Sequence, residues 1–467
     1  MESSKPYFFC GIAGSGMLPL ACILHARGHE VAGSDRSLDQ QRLGDKFDFL
    51  RSLGIALHRQ DGSGLTRPEQ VLVTSAAIEE TVPDVIRASA LGCARLTRPQ
   101  LLAQLFNDAP LGIAVGGTSG KSTVTGMIGW ILHAAGRDPT VMNGAVMKNF
   151  VSADRPFASA LVGDGAAFVS EVDESDGSIA LYRPKIAVLT NVTLDHKSLD
   201  ELRRLFRDFA STAETVVLNL DDDESRLLAA ALPPERVVTC SFRDASADLF
   251  GTGPEDCGAV WQAALTERKS GETRVVRVRT PGLHNLRNAA AAVAASIAAG
   301  VPFADAVEAI ARFEGLRRRF ERIGTARGIE VIDDFAHNPD KIAATLAAAR
   351  TDGVERLLLF FQPHGYGPLR IMGDALVAAF AAGMEPQDVL IMSDPVYFGG
   401  TTDRSVGSEA IVDGVRKAGR TADHIPDRAA CGERLAARAR PGDRILVMGA
   451  RDDTLSQFAE DVLKSLR

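Results

Sequence analysis

Leu111-Gly-Ile-Ala-Val115-Gly-Gly-Thr-Ser-Gly120-Lys-Ser-Thr123 is the stretch on which the reading of this chain turns. LGIAV is a short apolar run, the pattern of a buried strand. Gly116, Gly117 and Gly120 permit a tight turn with close backbone approach to a ligand. Lys121-Ser122-Thr123 then leads into a helical pattern through Met127, Ile128, Trp130 and Ile131. Strand, glycine turn and helix N-terminus together make a cradle of backbone N–H groups in which the helix dipole favours anions. In such a loop Lys121 reaches terminal phosphates and the Ser122 hydroxyl coordinates Mg²⁺. The spacing is G-x-x-G-K-S-T, because Val115 stands where the longer G-x-x-x-x-G-K-[ST] form has glycine. The stretch is therefore read as a nucleotide site and not as a plain connection.

Downstream, strands and helices alternate to about Phe313, the pattern of a second parallel or mixed sheet. A strand Ala166–Val169 is followed by Glu171, Asp173, Glu174 and Asp176. Carboxylate oxygens suit Mg²⁺, and next to a phosphate loop Glu171 is the expected metal ligand. A strand Ile186–Thr190 ends in Asn191-Val-Thr-Leu-Asp195-His196-Lys197, where His196 is placed to complete a divalent site. Asp221, Asp222 and Asp223 form an acidic turn, and residues 248–271 read as irregular and polar, with no role. His284-Asn285-Leu-Arg-Asn288 precedes an expected helix Ala289–Ala299. Asn285 and Asn288, at i and i+3, share a face and offer amide groups to a nucleotide, although alone they would read as an N-cap signal.

Upstream, Tyr7-Phe-Phe-Cys10 is a buried-strand candidate followed by Gly11-Ile-Ala-Gly14-Ser15-Gly16-Met, a helix closing near Gly28, and a second strand ending at Ser34-Asp35. This is a β-α-β unit with Asp35 where a Rossmann acid meets a ribose. Ala13 occupies the close-approach position of the glycine frame. NAD, another nucleotide diphosphate and a purely structural turn all stay open, and the second nucleotide-type loop favours a nucleotide diphosphate other than NAD. A third strand, Gln70–Thr74, leads to Ser75, and Asn107-Asp-Ala-Pro110 reads as a linker.

In the last third, Gly315-Leu-Arg-Arg-Arg319-Phe-Glu is a cation cluster at a domain boundary, suited either to solvent or to developing phosphoryl charge. Ile329–Ile332 is a strand leading into Asp333-Asp334-Phe-Ala-His337-Asn-Pro-Asp340. Leu357–Phe361 is another, followed by Gln362-Pro-His364-Gly365-Tyr-Gly-Pro368-Leu-Arg370 as a loop.

The 467 residues suit three domains, expected at 1–107, 108–314 and 315–467. Apolar content of 45% and charged content of 24% fit a folded globular chain, and the net charge of −8 argues against broad nucleic-acid binding. Six scattered cysteines without a C-x-x-C read as free thiols in a reducing compartment. The N-terminus lacks the pattern of a signal peptide and the Ala-rich run is too short for a bilayer, so a cytoplasmic location without membrane attachment is expected.

Taken together, GIAGSGM with GSD, GGTSGKST, SEVDESDGS, NVTLDH, HNLRN, GLRRRFE and DDFAHNPD, in that order, resemble the Mur ligase family of ATP-dependent amide-forming enzymes of peptidoglycan synthesis. The resemblance implies a Rossmann-like N-terminal domain, a central P-loop ATPase-like α/β domain and a C-terminal Rossmann-like α/β domain. It places ATP on Gly117, Thr118, Ser119, Gly120, Lys121, Ser122 and Thr123, and Mg²⁺ on Ser122, Glu171 and His196. It gives Asn285, Asn288, Arg319 and Asp334 to the nucleotide. Gly11, Gly14, Ser15, Gly16, Ser34, Asp35 and Ser75 fall to the uridine-diphosphate end, and His337 and Arg370 to the amino-acid end. Lys121, Glu171, His196, Arg319 and His337 are the expected catalytic set.

Within the family, the N-terminal motif and the lack of lysine between Ser198 and Asn219 resemble the branch that adds L-alanine to UDP-N-acetylmuramate. The branch that recycles a murein tripeptide shares the motif. The alanine-adding branch carries two arginines after F-Q-P-H where this chain has Gly365 and Pro368, which leaves open the acceptor amine and also a binding or regulatory paralogue. A monomer or weak homodimer acting on small molecules is expected.

Overall fold

The computed structural model describes residues 5–75, 78–193, 198–258, 260–350, 354–396 and 403–467. It forms two compact units. One holds Met1–Glu255, Gln262–Arg279 and Leu283–Gly315, and the other Leu316–Arg467 with the short pieces Asp256–Trp261 and Thr280–Gly282. Among the described residues there are three sheets, of five, ten and six strands.

The first sheet is built from β1 (Pro6–Cys10), β2 (Glu30–Ser34), β3 (Ala56–His58), β4 (Val71–Thr74) and β5 (Arg95–Thr97) in the order β3-β2-β1-β4-β5. All its pairs are parallel. The apolar run Phe8-Phe9-Cys10 is fully buried, as a central parallel strand covered on both faces requires.

The second sheet contains β6 (Leu111–Gly116), β7 (Thr140–Met142), β8 (Ala160–Leu161), β9 (Ala167–Glu171), β10 (Ile186–Leu189), β11 (Thr215–Asn219), β12 (Val237–Ser241), β13 (Leu249–Asp256), β14 (Trp261–Glu267) and β15 (Thr273–Val278). Its order is β15-β14-β13-β12-β11-β10-β6-β9-β7-β8. The strand that leads into the glycine turn, β6, lies between β10 and β9 and runs parallel to both. Two of its strands, β13 and β14, fall in residues 248–271, a region expected to be irregular. Their alternation was obscured by glycines and charges, since β13 is exposed over most of its length.

The helix Lys121–Ala134 follows β6 and packs on the helix Leu283–Ala298. The latter starts six residues before the expected Ala289, so Asn285 and Asn288 lie inside its first two turns and not ahead of it. Its alanines 289–292, 294 and 295 are all buried, which lets the backbones approach closely.

The first two sheets share one hydrophobic core. Phe106, from the helix Arg98–Asn107, meets Phe168 of β9 and Tyr182 with ring centroids 5.7 and 5.2 Å apart. The same buried cluster runs from Tyr7 and Phe47 to Phe206 and Leu228.

The other unit contains β16 (Glu321–Ala326), β17 (Ile329–Asp334), β18 (Arg356–Gln362), β19 (Val389–Met392), β20 (Thr421–His424) and β21 (Asp443–Gly449), in the order β16-β17-β21-β18-β19-β20. Among the described residues of this sheet, only the edge strand β16 is antiparallel to its neighbour. The segment after β18, expected to be a loop through Arg370, turns helical at once: Tyr366–Gly383 is one helix. Pro368 sits in its first turn, where the missing N–H is not needed.

Among the described residues no helix is long and apolar enough to cross a membrane.

Candidate nucleotide and acid site

The phosphate loop is held from behind by the end of β10. Asn191 does most of this. Its Oδ1 accepts from the Thr118 hydroxyl (2.7 Å) and the Ser119 N–H (3.1 Å), and its Nδ2 donates to the Ser119 carbonyl at 3.0 Å. The Thr190 hydroxyl also donates to that carbonyl, at 2.6 Å. Two glycines are required by this geometry. Gly117 has φ +124°, and a Cβ there would lie 2.2 Å from Thr190 Oγ1; Gly120 has φ +86°, and a Cβ there would lie 2.7 Å from Asn288 Oδ1. The second contact also shows that Asn288 reaches the loop. Asn288 Nδ2 donates to Asn285 Oδ1 at 3.3 Å, so the amide pair shares one face as the spacing suggests.

Lys121 and Ser122 open the helix Lys121–Ala134. Ser122 Oγ donates to Glu171 Oε2 at 2.7 Å. Glu171 is brought there because β9 runs beside β6, pairing Val115 with Glu171. A Cβ on Gly144 would lie 2.0 Å from Glu171 Oε1, so the chain also passes this carboxylate closely. A hydroxyl and a carboxylate oxygen side by side are hard donors that fit Mg²⁺, which keeps waters and phosphate oxygens for its other positions. Among the described residues no three His, Cys, Asp or Glu side chains gather as a metal cage. His196, the third expected ligand, lies outside the described residues.

Lys121 Nζ donates to the Gly117 carbonyl (2.7 Å) and to both oxygens of Glu174 (3.0 and 2.8 Å). The pair is largely buried, with side chains 19% and 7% exposed. Glu174 had no assigned role in the sequence; here it holds the loop lysine's charge. Asp173 stands nearby. Burial opposes its charge, but Ser175 and the Lys121 and Arg98 cations hold its pKa below the usual carboxylate value. Ser122, Asn143 and the loop are further joined by a 2.9 Å bond from Asn143 Nδ2 to the Ser122 carbonyl. Thr123 follows in the first turn of the helix, half-buried.

At the first sheet's edge, Gly11 (φ +86°) turns the chain, and the Gly11 and Ile12 N–H groups donate to the Ser34 carbonyl. Gly14 and Ser15 are exposed at the tip and Gly16 lies under Arg98. Asp35 is turned inward: its carboxylate accepts from Ala13 N (3.0 Å) and from Ser37 N (2.8 Å), capping a short helix. Asp35 therefore shapes the glycine loop. The buried Ser34 hydroxyl donates to Asp84, which also accepts from Gly62 N at 2.8 Å. Ser75 follows β4, half-buried. A cavity of about 120 Å³ is lined by Arg98, Lys121, Glu171, Asp173, Ser178 and Tyr182, among others.

In the other unit, the arginine cluster divides. Arg318 is buried and donates to Asp333 and to the Gly449 and Asp452 carbonyls, while Arg319 lies over the Phe335 ring at 4.4 Å. Asp334 accepts from Phe320 N, Ala336 N and Thr345 Oγ1 at 2.7–2.9 Å, so its carboxylate organises the turn after β17. His337 Nδ1 lies 2.8 Å from the Phe335 carbonyl and must be the donor, leaving Nε2 a bare acceptor. Burial, with Lys341, His364 and Arg319 nearby, pulls its pKa down to about 3. Its ring stands edge-on to His364 at 5.1 Å. Arg370 pairs with Asp403 on the surface at 3.0 Å.

Residues 6–109 match the model described as Mur ligase family, catalytic domain, residues 115–296 the Mur ligase middle domain, and residues 318–451 the Mur ligase, glutamate ligase domain. Relatives named UDP-N-acetylmuramate–L-alanine ligase include one from Cyanothece sp., 35% identical over 98% of this chain and 95% of that protein. Another, from Streptomyces coelicolor, is 34% identical over 96% and 95%. Two solved structures share the fold: a UDP-N-acetylmuramate–alanine ligase from Thermotoga maritima (TM-score 0.79, 22% identity, 98% of both chains) and a murein peptide ligase from Psychrobacter arcticus (0.72, 24%, 99% of both). The three-domain α/β architecture is common to them and to this chain.

Proposed function

The chain belongs to the Mur ligase family, and from that premise we propose that it joins L-alanine to the carboxylate of UDP-N-acetylmuramate at the expense of ATP. The observation that carries the reading is the cluster at the ends of β6 and β9, where Lys121, Ser122 and Glu171 stand together at the phosphate loop. Full-length relatives bearing that activity in their names support the choice of substrate. The domains divide at 107/108 and 314/315.

In this reading ATP lies along Gly117–Thr123, with Asn288 and Asn285 beside it and Lys121 released from Glu174 to the terminal phosphates. Ser122 and Glu171 hold Mg²⁺, with His196 as the expected third ligand. Held there, the metal would supply charge neutralisation at the transferring phosphoryl group. A carboxylate oxygen of the acid attacks the γ-phosphorus, ADP leaves, and an acyl phosphate forms. The amine then attacks the acyl carbon, and phosphate departs carrying the former carboxylate oxygen. Arg319 serves the nucleotide. His337, neutral with Nε2 bare, accepts a hydrogen bond from the incoming amino group and so orients it. Gly11, Gly14, Ser15, Gly16 and Ser75 hold the uridine-diphosphate end, with Ser34 and Asp35 fixing the turn. The substrates are those of a cytoplasmic enzyme, acting as a monomer or weak homodimer.

Gly365 and Pro368, where the alanine-adding branch has arginines, keep a second acceptor in view, the murein tripeptide of cell-wall recycling. ADP release with UDP-N-acetylmuramate and a panel of amines decides between them. L-Alanine should be the best acceptor; tripeptide-only turnover establishes the second reading, and no turnover with any amine overturns both.

A further inference from the structure

We propose that Arg98 is a specificity residue that grips the carboxylate of the sugar-nucleotide acid at the point where it is to be phosphorylated. The inference rests on the ligase reading above and adds to it a residue to which the motifs assign nothing.

Arg98 is the first residue of a helix fixed by a complete capping box between Thr97 and Gln100, with Pro99 in the first turn, so its position is rigid. Its stem passes over the glycine loop: a Cβ on Gly16 would lie 2.9 Å from Arg98 Cδ and 3.2 Å from Nη1. Its head lines the same cavity as Lys121 and Glu171. One side chain thus spans from the sugar-nucleotide loop to the phosphoryl-transfer groups.

Its hydrogen bonding sets it apart. The side chain is 27% exposed and its ion pair with Asp176 is loose, at 4.0 Å. Among the described residues its guanidinium donates no hydrogen bond. Arginines of like burial elsewhere in the chain are engaged: Arg428, 32% exposed, donates to Asp452 at 2.8 Å and to Thr454 at 2.9 Å. A guanidinium offers five donors in a planar fork, and leaving them part-desolvated and unpaired is costly. The fork matches a carboxylate with two parallel bonds. Arg98 lies on the glycine-loop side of the cavity, and the group that must bridge from there to Lys121 is the acid's carboxylate.

The test is calorimetric binding to the full chain without amine or ATP, comparing UDP-N-acetylmuramate with UDP-N-acetylglucosamine, which lacks the carboxylate. The intact protein should prefer the acid. R98Q should weaken the acid about 10-fold or more, the scale of a charge-assisted bond, and change the other ligand less than about twofold. R98K, which keeps the charge but not the fork, should fall between them, and a melting curve checks that each variant is folded. Equal loss for both ligands, as a diphosphate contact or a purely structural role would give, overturns the inference. So does an acid preference that survives in both variants, and this outcome leaves the ligase reading standing. An intact protein with no preference for the acid removes both.

Discussion

Gly117 shows how little freedom the phosphate loop has. Its φ of +124° and the 2.2 Å separation of a virtual Cβ from Thr190 Oγ1 combine backbone strain with a clash. Gly117→Ala should lower stability by about 1–3 kcal/mol, seen as a lower denaturation midpoint, and weaken ATP binding. Asn191→Ala removes three side-chain bonds to Thr118 and Ser119 and should weaken ATP about 10-fold or more, on the scale of about 1–3 kcal/mol for unsatisfied polar partners. An ATP titration that leaves Asn191→Ala unchanged would contradict this role. At His337 the folded pKa of about 3 lies below the ordinary 6.5. Between those values the unfolded chain binds the extra proton, so stability is fully present above pH 6.5 and declines as pH falls toward 3. Asp333, raised by burial to about 6, has the opposite sign, favouring the folded state below that pH. His337→Gln should therefore flatten the acid-side loss of stability by up to one proton equivalent, and NMR should find the His337 ring of the intact protein neutral at pH 5.

At the scale of elements, the strands and turns that build the site were the legible part. β6, β9 and β10 are continuous apolar runs because parallel central strands are buried on both faces, and each ends in polar residues that the register brings together. The placement of Glu174, Asn191 and Arg98 at the loop and cavity was not legible. Their contacts are made across 53, 72 and 78 residues of chain, and no local period encodes such a meeting. Asp35 and Asp334 carry the residue type expected of a ligand contact, and their carboxylates also accept from backbone donors at turns, a second demand that a motif does not display. The helix Tyr366–Gly383 was hidden by the Gly-Tyr-Gly-Pro start, which reads as a turn although proline is tolerated in a first helical turn. Gly365 caps that helix with φ +144°. Gly365→Arg, restoring one arginine of the alanine-adding branch, should thus lower stability by about 1–3 kcal/mol, measured by denaturant titration. An unchanged midpoint would show that the turn relaxes at no cost.

For the whole molecule, three sheets are expected and the described residues form three, but the first two are built on a common core. Phe106 is the clearest join. It is fully buried, packs on Phe168 and Tyr182, and leaves no room for a side chain at Gly112, where a Cβ would lie 2.8 Å away. Phe106→Ala should cost about 3–5 kcal/mol, and hydrogen exchange should show protection lost in β1 and β6 together. Loss confined to one sheet would mean that the two unfold independently.

Transfer of a phosphoryl group from ATP to a carboxylate is the step on which the proposed reaction depends. UDP-N-acetylmuramate labelled with ¹⁸O in its carboxylate, turned over with ATP, Mg²⁺ and the preferred amine, tests that directly. One labelled oxygen in each phosphate released is the predicted result, and phosphate free of label would contradict it.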